Sequence, residues 1–469
     1  MDEVPSRADI AQALADARHG PLTARDLARH LKVSADAYRA FRRRLRAMER
    51  DGDVFRQRKG RYALPDSFEI VTGIVDLTRA GDGFVIPEVA GGEDVYVPRR
   101  FLGSAVEGDR VAVRVERRLP GRNPEGRLVR VLDRAWEQAV GVYHDRRGYG
   151  VVVPQEPPLP ADVFVPPADR AGAAEGDIVL VRIDEWGKDT VRPVGVITSV
   201  LGRPGDPGID VLSIILGQQL PIDFPPIVVR EADKIARRGV RPEDLEGRED
   251  FRDTLCFTID PRDAKDHDDA LSVRRTAGGL EIGIHIADVS WYVKEGSGID
   301  REALDRGTSV YLVDRVIPML PESLSSDLCS LVPGQDRLTL SVVLDFDEHG
   351  KMRERRIVRG VIRSARRLAY EDAEEILGHG LPEEDPGGAL VEALMDLSSI
   401  AQEVRRARRE AGAVDFAIPE AEVVLDDEGE PLEIRPRLRL EAHRIIEDLM
   451  IFANETVATL GLDEGLPLI

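Results

Sequence analysis

Apolar positions recur with two different periods along this chain, and the change of period divides it. Over residues 1–66 the spacing is helical. The stretch "LTARDLARHLKVS" carries Leu22, Leu27 and Leu31, and "DAYRAFRRRLRAMERDG" carries Phe41, Leu45 and Met48. The second stretch turns Arg42, Arg43, Arg44 and Arg46 to its other side. Asp51-Gly52 stops that helix, and "DVFRQRKGRYAL" predicts a short hairpin with a basic tip. Helix, helix and hairpin predict a winged-helix domain over 1–66. Its basic face suits nucleic acid, or is the solvated side of a small interaction domain.

From residue 67 the period falls to two, and the pattern repeats. "GIVDLTRAGDGFVIP", "DVYVP" and "AVEGDRVAVRV" are matched by "GVYHDRRGYGVVVP", "DVFVP" and "AAEGDIVLVRI". Gly73 and Gly141, Asp94 and Asp162, and Gly108 and Gly176 all stand 68 residues apart. Short alternating strands separated by glycine turns predict two small β-barrels, over 67–134 and 135–200. Each has an aromatic near a glycine, Phe84 or Tyr149, and another in a following strand, Tyr96 or Phe164. Such aromatics either fill a core or form a stacking platform for single-stranded bases. Their spacing resembles the cold-shock type of oligonucleotide-binding (OB) barrel.

Residues 201–248 begin with "GRPGDPG" and read as a linker, with a helix expected in "EADKIARRGVRPEDLEGRED". An α+β domain is expected over 249–469. It opens with a buried strand, "TLCFTID", then the turn "RDAKDHDD", then strands in "ALSVRR" and "LEIGIHIADVSWYV". Asp260, Asp263, Asp266, Asp268 and Asp269 crowd this turn. Carboxylates so close repel one another unless a cation neutralises them. A hard ion such as Mg²⁺ takes oxygen ligands of this kind, and the bland alternative is a solvated acidic turn.

Composition adds limits. With 42% hydrophobic and 32% charged residues the chain reads as globular. No apolar run approaches the roughly 20 residues of a membrane span. The acidic, interrupted start does not read as a signal peptide, and two cysteines make no disulfide framework, so a cytoplasmic protein is expected. The net charge of −21 opposes nucleic acid at first sight. It is unevenly spread: residues 1–66 hold 15 Lys and Arg against 10 Asp and Glu, which leaves −26 for the rest.

"IDPRDAKDHDDA" resembles the catalytic signature of the ribonuclease II/ribonuclease R family of 3′→5′ exoribonucleases. "HIADVSWYV", "DREALDRGTSVYLVDRVIPMLPESLSSDLCSLVPGQDRLTLSV", "AGAVDFAIPEAEVVLDDEG" and "AHRIIEDLMIFANE" resemble the same RNB domain, in the family's order. A winged helix before two cold-shock barrels resembles the ribonuclease R branch. The resemblance implies a processive hydrolase acting on single-stranded 3′ ends and structured RNA, with Mg²⁺-assisted attack of water and release of nucleoside 5′-monophosphates. It implies that Asp260, Asp266 and Asp269 hold the metal and that Asp268 matters most for chemistry, with Asp263 left facing solvent. Tyr311 and Phe416 match residues that pack on the 3′-terminal base. Glu447 matches a carboxylate reaching the terminal nucleotide, with Asp448 the alternative. His285 and Cys329 are read as structural. A monomer is expected, with no membrane partner and a possible association with the ribosome or RNA-decay machinery.

The family's domain also carries a motif of the form "SPIRRYPD", and a further C-terminal barrel. Neither string nor barrel is found in these residues. The catalytic domain is therefore expected to be incomplete here, and an RNA-binding module with an inactive catalytic remnant stands as the alternative for this chain.

Overall fold

Hydrogen bonds between Ser6 and Asp9 form a capping box that starts α1 (Arg7–Ala15). Thr23 caps α2 (Ala24–His30). Gly52, at φ +89°, ends α3 (Tyr38–Asp51), a conformation that favours glycine. Ile10, Leu27, Phe41, Leu45 and Met48 bury their apolar sides together. Strands β1 (Leu22–Thr23), β2 (Phe55–Arg56) and β3 (Arg61–Ala63) pair in the order β1-β3-β2. In this computed structural model the described residues are 4–466 except 17–20, 57–59, 66–68, 119, 158, 160, 188–191, 349, 380–387, 417, 419, 427, 428 and 430. The basic tip expected for the β2–β3 hairpin, residues 57–59, lies outside them. One expectation for α3 needs correction. Arg42, Arg43 and Arg46 are exposed, but Arg44 Nη1 donates to the carbonyls of Val4 at 2.8 Å and Pro5 at 2.6 Å. That arginine ties down the start of the chain and does not belong to the free basic face.

Two closed barrels follow. The first has β4 (Ile70–Leu77), β5 (Gly83–Pro87), β6 (Val95–Val97), β7 (Arg110–Arg117) and β8 (Glu125–Asp133), closing as β4-β5-β6-β8-β7. The second has β9 (Gln138–Arg146), β10 (Tyr149–Glu156), β11 (Val163–Val165), β12 (Ile178–Glu185) and β13 (Val194–Gly202), with the equivalent closure. The repeat's glycines mark a close approach of strands. A Cβ on Gly73 would stand 2.1 Å from the Ile86 carbonyl oxygen, and one on Gly141 would stand 2.3 Å from that of Val153. The segment expected as a linker is largely helical: α4 (Ile209–Gly217) packs Ile209 against Val140, Ile178 and Leu180 of the second barrel.

The chain divides at Leu220/Pro221 into two units. The second begins with α5 (Pro226–Arg238). Its sheet has β14 (Glu249–Asp250), β15 (Cys256–Asp260), β16 (Asp269–Thr276) and β17 (Gly279–Ala287). Next come α6 (Val289–Tyr292), α7 (Gly298–Arg306) and a small ladder of β18 (Val310–Tyr311) with β19 (Val316–Ile317). Then β20 (Asp336–Asp347), β21 (Met352–Arg363) and β22 (Arg366–Ala369) complete a seven-stranded sheet, ordered β14-β21-β20-β17-β16-β15-β22. Helices α8 (Tyr370–His379) and α9 (Ala389–Glu410), the hairpin β23 (Ala421–Leu425) and β24 (Pro431–Pro436), and α10 (Glu441–Asp463) follow. One face of the sheet meets α8, α9 and α10 through Phe257, Leu271, Ile282, Leu394 and Leu449. Cys256, Ala270 and Val343 of the other face pack with Val228 of α5, Tyr292 and Leu324. Covered on both sides, all five residues of β15 are buried, which explains an apolar run without alternation.

Candidate active site

Strand β15 delivers Asp260 to the end of the sheet, and Pro261 cannot continue the ladder because it lacks an N–H. Pairing of β15 with β16 covers only Cys256–Ser272 and Phe257–Leu271, so the chain between the strands splays into a loop. That loop is held in place. The His267 amide donates to Ser330 Oγ at 3.0 Å, and the Leu331 amide to the His267 carbonyl at 2.8 Å. The Ala287 amide donates to the Asp268 carbonyl at 2.9 Å, and Arg262 Nη2 to Asp372 Oδ1 at 2.7 Å.

The aspartates have distinct surroundings. Asp260 is buried, with Oδ2 2.8 Å from Nδ1 of the buried His267. Asp266 Oδ2 accepts from the Tyr311 hydroxyl at 3.2 Å. Asp269 is half-buried and Asp268 is exposed. Burial, followed by the charges of Asp260 and Asp268, pushes the Asp269 carboxyl up to about 7. Asp268 reaches solvent, yet the protein crowding it thins its hydration. That loss, then the charges of Asp266 and Asp260, raises its carboxyl above the usual range. The Tyr311 ring is 66% exposed, while its hydroxyl end points at the carboxylates and is raised by local burial and by Asp266. Asp263 is exposed in the same turn.

Burial first, and then the charges of neighbouring aspartates, hold protons on both carboxyls. An all-oxygen donor set suits Mg²⁺, and a bound cation would reverse both shifts. Asp260, Asp266, Asp268 and Asp269 are the residues that would hold it, with His267 orienting Asp260. Among the described residues no three acidic, His or Cys side chains already converge as a metal cage, so the ligands are grouped and not closed.

Phe416 and Glu447 form a second group. Phe416 is 72% exposed, and its neighbour Asp415 accepts from Arg439 Nη1 at 3.0 Å. Arg439 Nη2 donates to Glu447 Oε2. Of the adjacent carboxylates in α10, Glu447 is exposed, whereas Asp448 is buried and accepts from Arg405 Nε at 2.7 Å and Arg408 Nη1 at 3.3 Å. A side chain so engaged is poorly placed to meet a ligand. The aspartates and α10 approach each other through a pair that sequence reasoning missed. Tyr370 stacks on His443 with centroids 3.9 Å apart, and its hydroxyl is pushed up to about 12 by burial and then by Asp269 and Asp260. Nothing in the sequence around Tyr370 signals that neighbourhood.

His285 and Cys329 have structural surroundings. His285 lies between Ser272 Oγ and Ser341 Oγ, 2.8 Å from each, and burial lowers its imidazole to about 3. Burial pushes the Cys329 thiol up to about 12, so it is no thiolate at neutral pH.

In the first unit the four barrel aromatics pair up. Phe84 and Tyr96 are direct cross-strand partners with centroids 5.5 Å apart, and Arg117, Arg122 and Asn123 line the same depression. Tyr149 and Phe164 lie 5.2 Å apart but on a diagonal, since Phe164 is opposite Val151. Both pairs keep ring surface in contact with solvent, and Tyr143 is the aromatic that fills the second barrel.

A sheet domain with an aspartate-rich strand end, preceded by a winged helix and two barrels, defines an RNB-domain protein with winged-helix and OB-barrel modules. Comparison with known proteins agrees in each part. Residues 248–469 match the RNB domain, 152–225 the cold shock domain, 73–131 the ribonuclease B OB domain, and 9–69 the ribonuclease R winged-helix domain. Ribonuclease R of Thermotoga maritima is 39% identical over 467 residues, covering 98% of this chain and 65% of that protein. Ribonuclease R of Acidithiobacillus ferrooxidans is 38% identical over 402 residues, covering 84% of this chain and 90% of that one. The solved structure of Mycoplasma genitalium RNase R in complex with ribose-methylated single-stranded RNA superposes with a TM-score of 0.76 at 27% identity, covering 85% of this chain and 63% of that one. The chain belongs to the ribonuclease R family. It spans a little less than two thirds of the Thermotoga maritima protein's length.

Proposed function

We propose that this chain is the RNA-binding and metal-binding part of a 3′→5′ exoribonuclease that hydrolyses RNA to nucleoside 5′-monophosphates. The observation that carries the reading is the group Asp260, Asp266, Asp268 and Asp269 at one strand end, with two carboxyls raised by burial and then by their neighbours' charge, and the Tyr311 hydroxyl on Asp266. A purely RNA-binding protein needs none of these carboxylates. Mg²⁺, when bound, would activate water and stabilise the leaving oxygen of the terminal phosphodiester. Asp260 is oriented by His267, and Asp268, the most open of the four, faces the reacting phosphate. Tyr311 and Phe416 pack against the 3′-terminal base, and Glu447 meets the terminal nucleotide. The barrel aromatics Phe84, Tyr96, Tyr149 and Phe164 stack single-stranded bases. The protein works as a cytoplasmic monomer on single-stranded 3′ ends and structured RNA, and the ribosome or the RNA-decay machinery are its candidate associates. Among the described residues no helix is long and apolar enough to cross a membrane.

A second reading, an RNA-binding module without turnover, is favoured by the paired ring surfaces of Phe84 with Tyr96 and Tyr149 with Phe164, which bind bases without any hydrolysis. Digestion of a 5′-labelled single-stranded RNA separates the two. The hydrolase shortens the label stepwise from the 3′ end, releases mononucleotides, and stops in EDTA. Retention of intact RNA in Mg²⁺ would leave only the binding module.

A further inference from the structure

Phe416 sits in an irregular segment between α9 and β23, largely outside the apolar core. Val414, Phe416 and Ile418 are all more than 70% exposed. What fixes this segment is a chain of charges. Arg409 Nη2 donates to Asp415 Oδ2 at 3.2 Å, Arg439 Nη1 donates to Asp415 Oδ1 at 3.0 Å, and Arg439 Nη2 donates to Glu447 Oε2. Arg439 is thus one planar group shared by two carboxylates, one beside Phe416 and one on α10. Asp415, Arg439 and Glu447 line one small depression of about 70 Å³. Arg405 and Arg408, by contrast, neutralise the buried Asp448.

We propose that Arg439 is a positioning residue that sets Phe416 at a fixed distance from Glu447, so that base and terminal nucleotide are gripped together. The proposal rests on the reading of Phe416 and Glu447 as contacts of the 3′ end. It follows from fork geometry: a guanidinium presents two N–H edges in one rigid plane, while an ammonium is a compact charge that spans two separated carboxylates less well. Arg439, Asp415 and Glu447 are all partly exposed, so losing the bridge leaves the core of the unit untouched.

The test uses the 469-residue chain in EDTA, with single-stranded RNA ending in 3′ 2-aminopurine. Wild type should quench the terminal base, and Phe416→Ala should not. Arg439→Ala should lose most of the quench while overall affinity, read by anisotropy, barely changes. Arg439→Lys should fall between, and Arg406→Ala, which removes only pairs to Glu403 and Glu410 on α9, should stay near wild type. Hydrogen exchange in peptides covering 411–420 should accelerate severalfold in Arg439→Ala without RNA. Full quench and unchanged exchange in Arg439→Ala would overturn the proposal. If Phe416→Ala keeps the quench, the reading of Phe416 fails and takes the proposal with it; the exchange arm then shows separately whether Arg439 holds the segment.

Discussion

His285 offers a quantitative check on the sheet that carries the site. Its ring is fully buried, accepts or donates to Ser272 and Ser341, and packs edge-on to Phe251 at 4.9 Å. Gly283 is what makes room for it: a Cβ there would lie 2.5 Å from Nε2. In the unfolded chain a histidine titrates near 6.5, and here burial lowers it to about 3. As pH falls below 6.5 the unfolded state therefore takes up the proton first, and stability is lost until the folded value is reached. The loss is about 1 kcal/mol per pH unit, or roughly 2 kcal/mol by pH 5. His285→Gln removes the titration and leaves a polar group to the serines. It should cost about 1–3 kcal/mol at pH 7.5. The gap to wild type should then narrow by roughly 2 kcal/mol at pH 5. Denaturant titration read by hydrogen exchange in β17 and β20 reports the second unit alone. A gap that stays constant between pH 7.5 and 5 would refute the buried neutral imidazole.

Other consequences can be checked separately. Asp269→Asn in EDTA should stabilise the second unit at pH 8 and make little difference at pH 4. Its carboxyl titrates near 7 when folded, and the unfolded group ionises first as pH rises past about 4. A melt at both pH values tests the sign. Changing Phe84, Tyr96, Tyr149 and Phe164 to alanine should weaken single-stranded RNA binding, with about 1–3 kcal/mol lost for each base that was stacked. Unchanged affinity at matched salt would make these rings idle.

What the sequence disclosed depends on how local each cause is. The doubled barrel is legible because strand crowding demands glycine at Gly73 and Gly141, and the demand recurs at fixed spacing. The carboxylates are legible because they sit within one short turn. The contact of Tyr311 with Asp266 crosses 45 residues, and no periodicity encodes it. Arg44 counts as a surface charge until the carbonyls of Val4 and Pro5 are seen against it. Glu447 and Asp448 are equivalent as letters, and burial beside Arg405 separates them. The apolar run of α4 was masked by the Pro- and Gly-rich stretch before it.

Hydrolysis is proposed to fall to the aspartates at the end of β15. Single-turnover cleavage of a 5′-labelled RNA in Mg²⁺, with filter binding in EDTA, tests it with two isosteric changes a few residues apart. Asp268→Asn removes a charge from the reacting group, so cleavage should be abolished while RNA binding persists, since binding draws on basic and aromatic residues. Asp263→Asn removes an exposed charge outside that group and should cleave nearly as wild type does. An inactive Asp263→Asn beside an active Asp268→Asn would contradict the assignment of this site.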